Sequence, residues 1–416
     1  MLPSRLFLLR LFLLLSWLVS VQVMAVPTIL QPDTGITAKQ LAVIINVQDP
    51  VSIDIGEYYQ RQRSIPRENV IRVRFDTGHS VMSPGLFAVM IRQIEAQLPE
   101  DIQAYALTWA SPYRVGCMSM SAAFAFGYDV AYCAQGCKPT KQSQYASARV
   151  SRPYDQLNIR PTMLIAAEDF QQAKALIDRG IQSDDSQPLA AAYLLNTDDK
   201  ARNVRKVGFS HAQQRLSHQL SVNILNTNAI KNKHNIMFYF TGSKFVEGIK
   251  SNDYLPGAMA DHLTSAGGKL TDSYQMSAMR WLEAGVTGSY GTVVEPCNIL
   301  AKFPDPLVAM TQYLQGDTLL EAYWKSVRMP GQGVFIGEPL ARPYLKYSIV
   351  TQQGRSVLML SDLSPGRYRL MGAAHIDGPF SKALAFNVSS SVSGQRLAIA
   401  LPQPLSLVYK VEPLLK

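Results

Sequence analysis

The chain has 416 residues, 47% of them hydrophobic and 17% charged, which is ordinary globular composition and enough length for two to three domains. Its formal charge of +9 is spread over lysines and arginines that alternate with acids. Nucleic-acid binding is not expected, because it needs basic residues gathered in a stripe with aromatic residues between them. No cofactor motif is found, and we predict no cofactor.

A secretory signal peptide is predicted at the N-terminus. Arg5 and Arg10 precede the apolar run 11–21, and small residues before Val26 favour cleavage after Ala25. A retained membrane anchor is the alternative, but the run is shorter than the ~20 apolar residues of a membrane span. We therefore expect an exported protein, periplasmic or extracellular, with no transmembrane span after cleavage.

Next, short β-rich runs alternate with helical patterns, which predicts an α/β fold of mostly parallel strands joined by crossover helices. Strands are predicted at 41–47, 70–75, 104–109, 162–167, 189–196, 236–240, 258–260 and 287–294. Helices are predicted at 52–65, 83–97, 169–181, 211–225, 277–284 and 318–327. Segment 110–161 lacks periodicity and predicts a long irregular insertion.

Beyond Tyr344 the pattern changes to short β-rich runs separated by turns, which predicts a small β-sandwich. Its strands are expected at 357–360, 368–373, 383–388, 397–400 and 405–411. The predicted organisation is a signal peptide at 1–25, an N-terminal α/β subdomain with a cysteine-containing insertion at 26–161, a second α/β subdomain at 162–343 and the sandwich at 344–416.

Four cysteines, at positions 117, 133, 137 and 297, would lie in a compartment that permits disulfides. Cys133 and Cys137 enclose a short loop with a flexible Gly136, so a local Cys133–Cys137 disulfide is predicted. Cys117 and Cys297 would then form a second bridge or remain free thiols. Two free thiols in place of the local bridge are one alternative, and a zinc site is another, although the spacings lack two close pairs.

Polar groups follow several predicted strands, where ligands of open α/β sheets gather. Candidate binding residues are Arg114 after the strand at 104–109, Thr241, Gly242 and Ser243 after 236–240, and the glycines Gly267 and Gly268. Asp261 and His262 follow 258–260, and Glu295 and Cys297 follow 287–294.

These side chains could support thiol chemistry. Cys297 would be the nucleophile and His262 the base that holds it as a thiolate. Asp261 or Glu295 could orient the imidazole, and the Gly267–Gly268 amides could stabilise an oxyanion. The alternative is a buried structural cysteine beside a histidine that is hydrogen-bonded within the core.

Several segments resemble an uncharacterised family of exported proteins from bacteria that carry exosortase-type sorting systems. The resemblance covers nearly all of residues 40–345 and is carried by IPRENVIRVRF, SPYRV, RPTMLIAAEDF, PGAMADHLTSAGG, QMSAMRWLEAGVTGSYGTVVEPCN, EAYWKSVRMPGQG and FIGEPLARPY. It implies no particular activity.

The order of elements, with GDTLLEA at 316–322 and GEPL at 337–340, is also distantly similar to gingipain-like cysteine peptidases. That resemblance implies a caspase-like α/β fold followed by an Ig-like domain. The loop that carries the catalytic histidine there reads FTGSK here, with Thr241 or Gly242 at that position. The strand end that carries the cysteine reads Ala260-Asp261-His262, and Cys297 lies one strand later.

The chain thus lacks the usual peptidase dyad. We predict a binding or accessory module in exosortase-linked sorting of surface proteins or in exopolysaccharide export, with exported proteins or the export machinery as partners. The alternative is a thiol-dependent hydrolase or peptidase that uses Cys297 and His262.

Overall fold

The computed structural model describes residues 27–30, 35–271, 273–361, 363, 366–375, 377–388 and 397–414. The predicted signal peptide lies outside these residues.

Strands of the α/β part are β2 (Leu41–Asn46), β3 (Val70–Val73), β4 (Val81–Met82), β5 (Ala104–Leu107), β6 (Arg114–Val115), β7 (Met118–Ser119), β8 (Thr162–Leu164), β9 (Ala191–Leu195), β10 (Ser221–Leu225), β11 (Ile236–Gly242), β12 (Tyr254–Leu263), β13 (Gly288–Thr292) and β14 (Gly333–Gly337). The helices are α1 (Pro50–Gln62), α2 (Pro84–Glu95), α3 (Met120–Phe126), α4 (Pro153–Leu157), α5 (Phe170–Ser183), α6 (Phe209–Leu216), α7 (Met279–Glu283), α8 (Pro306–Leu314) and α9 (Leu319–Ser326). These elements confirm the predicted α/β architecture.

One ten-stranded sheet, in the order β10-β9-β11-β12-β13-β14-β8-β5-β2-β3, forms the centre of the molecule. All neighbours pair in parallel except β13 and β14, which are antiparallel. The sheet therefore consists of two parallel halves that run in opposite directions. The carboxyl ends of the β9–β13 half lie at one edge, and those of the β5 half lie at the other.

Small strands form two further sheets near the chain ends. They are β1 (Thr28–Leu30), β15 (Tyr347–Gln352), β16 (Arg355–Leu360), β17 (Gly366–Ala373), β18 (Ser381–Val388), β19 (Leu397–Ala400) and β20 (Val408–Pro413). Sheets β1-β20-β17-β18 and β15-β16-β19 share an apolar core that includes Leu358, Leu370 and Tyr409. Residues 28–30 pair with β20, so both ends of the described chain meet in one sheet. The domain boundaries themselves remain predictions.

One local prediction was wrong, and several elements were not predicted. The helix predicted over 211–225 ends at Leu216, and residues 221–225 instead form strand β10. They pair in parallel with β9 at the edge of the sheet, because that pairing satisfies their backbone hydrogen bonds. Helix α8 was not predicted at all. Asp305 caps it and Pro306 opens it, a start signal present in the sequence.

Candidate functional site

The carboxyl edge of the β9–β13 half brings together the ends of β11 and β12. Thr241 pairs in register with His262, and Phe240 with Asp261. Gly267 and Gly268 fold back over the neighbouring strand, where Gly268 N donates to Thr292 O at 2.9 Å. The predicted convergence of two polar strand ends is therefore present.

His262 is buried and holds both ring nitrogens in hydrogen bonds. Nδ1 accepts from Trp281 Nε1 at 3.0 Å, so the ring proton lies on Nε2, which donates to Met276 O at 3.1 Å. Burial lowers the pKa of His262 to about 4, so the ring is neutral at pH 7. Neither nitrogen is available to take a proton from a thiol, and the arrangement is that of a core histidine.

Asp261 cannot orient His262, because successive side chains of a strand point to opposite faces of the sheet. His262 faces Trp281 of α7, whereas Asp261 lies on the opposite face of the sheet, near Tyr323 of α9. There it forms an ion pair with Arg205, Oδ1 to Nη2 at 2.6 Å, with both side chains buried. The predicted orienting role of Asp261 is wrong.

Cys297 is not a free thiol. It is bonded to Cys137, and Cys117 is bonded to Cys133. The predicted Cys133–Cys137 bridge is therefore wrong, and so is a nucleophilic Cys297 in this oxidised form. The bridges connect the insertion to itself and to the loop after β13, which no short-range loop argument identifies.

The neighbouring carboxylate and glycines also have structural partners. Glu295 is exposed and accepts a hydrogen bond from Cys297 N at 2.8 Å. A Cβ on Gly268 would lie 2.5 Å from Gly291 O, so the glycine is needed for close backbone approach. Because Gly268 N already donates to Thr292 O, it is not free to stabilise an oxyanion.

Three candidate binding residues stabilise the end of β11. Gly242 O accepts from Thr197 Oγ1 at 2.7 Å, and a Cβ on Gly242 would lie 2.0 Å from Arg202 O. Ser243 Oγ donates to Phe245 O at 2.6 Å. Thr241 O accepts from Arg205 at 2.5 Å, while Thr241 Oγ1 is buried and has no hydrogen-bond partner among the described residues.

Arg114 lies elsewhere. It follows β5, whose carboxyl end is at the opposite edge of the sheet, and it forms part of the small sheet β4-β6-β7. The reversal between β13 and β14 separates it from His262. The sequence offered no signal for that reversal.

A pocket of about 170 Å³ lies beside the buried ion pair. Its lining includes Arg205, Lys325 and Arg328 together with the apolar side chains Val207 and Leu300. Prediction from sequence missed Arg205. The one available signal was Asp261, a lone aspartate at the end of an apolar strand. A buried carboxylate needs a cation as its partner, so a nearby basic residue could have been expected.

The described part of the chain contains no cluster of three or more metal-ligating side chains. Among those same residues, no helix is long and apolar enough to cross a bilayer.

Comparison with known proteins gives no matching family model and no matching curated protein. The solved structures include two similar ones. One is the Arg-specific cysteine proteinase gingipain R, with 10% identity, a TM-score of 0.42, and coverage of 91% of this chain and 94% of that one. The other is described as a protease, with 8% identity, a TM-score of 0.40, and coverage of 90% and 94%.

Proposed function

We propose that this chain is an exported, disulfide-bonded binding or accessory module that does not act as a thiol peptidase. The observation that carries the proposal is the state of its two reactive side chains. Both ring nitrogens of His262 are engaged, and Cys297 is in a disulfide. Thiol catalysis needs a thiolate and a base that can accept its proton.

The setting we propose is exosortase-linked sorting of surface proteins or exopolysaccharide export. Export is supported by the N-terminal signal pattern and by two disulfides, which persist in oxidising compartments. Exported proteins or components of the export machinery are the proposed partners. The segments that resemble the exosortase-associated family support this setting.

Thiol labelling of the mature protein tests the proposal. Iodoacetamide without reductant is expected to label no cysteine, either in the native protein or after denaturation, whereas reduction of the denatured protein exposes four. Intact mass and peptide mapping distinguish these states. Rapid native labelling of Cys297 would contradict the proposal.

An activity assay provides the second arm. Wild-type protein, Cys297→Ser and His262→Gln are incubated with a mixture of unfolded proteins and with a library of fluorogenic peptides. We expect no cleavage by any of the three. Cleavage by the wild type that both substitutions abolish would establish the thiol hydrolase instead.

A further inference from the structure

A second cavity lies away from the strand-end site. It has a volume of about 530 Å³, within the range of small-molecule sites. Its lining includes three glutamines, Gln219, Gln312 and Gln315, in addition to charged side chains. An amide side chain presents two N–H donors and a carbonyl acceptor, so this wall can both donate and accept hydrogen bonds.

The deep wall is formed by α9 and its N-cap. Glu321 is fully buried, and its Oε2 accepts from Ile36 N and from Thr318. Its Oε1 lies 4.0 Å from Lys325 Nζ, and the carboxylate also interacts with the buried hydroxyl of Tyr145. Glu321 is therefore a buried structural acid, and the wall groups that a ligand can contact are the glutamine amides.

Charge within the pocket is nearly balanced at depth and positive at the mouth. Lys325 Nζ donates to Asp317 Oδ2 at 2.8 Å, and burial raises the pKa of Asp317 to about 6. Arg149 is exposed and Lys346 is half-buried, and neither forms a salt bridge with another described residue. The carboxylates of Asp317 and Glu321 in the wall would repel a compact multivalent anion. The two cations at the rim, Arg149 and Lys346, would attract a ligand that carries a single carboxylate.

We propose that this cavity binds an acidic saccharide unit, a sugar ring that carries a carboxylate. Ring hydroxyls are both donors and acceptors, and they match the glutamine amides. The carboxylate would lie between Arg149 and Lys346. A peptide ligand is disfavoured, because the lining has one sizeable apolar side chain, Val150, among polar ones.

Lys325 lines both this cavity and the 170 Å³ pocket beside Arg205, and segment 147–151 contributes Ser147 to that pocket and Arg149, Val150 and Ser151 to this cavity. The two cavities are therefore neighbours. This inference rests on the proposed function only in expecting binding without cleavage.

Isothermal titration calorimetry on the mature, oxidised full chain tests the inference, with tetragalacturonic acid as the probe and maltotetraose as the neutral control. We expect the acidic tetrasaccharide to bind and the neutral one to bind at least tenfold more weakly. The double variant Arg149→Glu/Lys346→Glu should lose at least tenfold in affinity. The matched reversal Arg67→Glu/Arg92→Glu, at basic residues outside both cavities, should match the wild type after equal loss of net charge.

The amide contacts need a separate variant. Gln312→Leu keeps the side-chain size and removes donor and acceptor, so affinity should fall about fivefold, which corresponds to one or two hydrogen bonds. Gln93→Leu, on the exposed face of α2, is the matched control and should have no effect.

Three results would overturn the inference: no binding of the acidic probe, equal binding of maltotetraose, or equal loss in the Arg67→Glu/Arg92→Glu control. Cleavage of the bound probe would instead refute the non-catalytic function and leave the binding site standing. Failure of the site and failure of the proposed function are therefore distinguishable.

Discussion

The buried ion pair between Asp261 and Arg205 gives the sharpest prediction about stability. Substitution of Asp261 by Asn leaves the guanidinium of Arg205 buried without its counter-charge. We expect the free energy of unfolding to fall by about 3–5 kcal/mol, the usual cost of removing one partner from a buried pair.

The magnitude follows from the geometry. At 2.6 Å and an effective dielectric constant of about 20, the Coulomb attraction is about 6 kcal/mol. Desolvation of two buried ions offsets much of it, so the pair adds little net stability, but a single unpaired ion is costly. The hydrogen bonds from Arg205 to Thr241 O and Pro304 O recover part of that cost.

Urea unfolding, followed by fluorescence of the buried tryptophans, measures the effect. The double variant Arg205→Met/Asp261→Asn should recover part of the loss, with a coupling energy of about 2 kcal/mol or more. Asp101→Asn is the control, because its pair with Arg152 has similar geometry at 2.9 Å but is exposed, and we expect at most about 1 kcal/mol there. Equal losses for Asp261→Asn and Asp101→Asn would refute the reasoning.

Three further predictions concern His262, the disulfides and Gly242. The pKa of His262 is lowered to about 4 in the folded state, so the unfolded chain binds more protons than the folded one between about pH 4 and 6.5. The free energy of unfolding should therefore fall as pH falls through that window, by about 2 kcal/mol from pH 7 to 5. Urea titrations of His262→Gln should lack this part of the pH dependence. Cys297→Ser removes the bridge that spans 160 residues, and Cys117→Ser removes the bridge that spans 16. The free energy of unfolding should fall more in the first variant, by at most about 5 kcal/mol, than in the second, by about 3 kcal/mol. Equal losses in denaturation without reductant would contradict this prediction. Gly242→Ala should lower stability by about 1–3 kcal/mol because its Cβ meets a backbone oxygen, whereas Gly208→Ala, with open space around it, should be neutral in thermal unfolding.

Sequence patterns predicted the sheet and placed Thr241 and His262 at the ends of two of its strands, because apolar runs and strand ends follow local rules. The opposite orientations of Asp261 and His262 also follow from a local rule, the two-residue period of a strand, and could have been predicted. Reversal of direction between β13 and β14 could not, since it depends on long-range pairing. The same limit applies to Arg205, whose partner is 56 positions away in the chain (261 − 205).

The two disulfides do not interleave along the chain. Both cysteines of the Cys117–Cys133 bridge precede residue 137 in the sequence, and Cys137 is bonded to Cys297. In a chain that enters an oxidising compartment N-terminus first, the first bridge can form as soon as residue 133 emerges, which removes two of the four thiols before the last one arrives. Four cysteines allow three pairings. Once Cys117–Cys133 has formed, the two remaining cysteines can pair in only one way, so the first bridge determines the second.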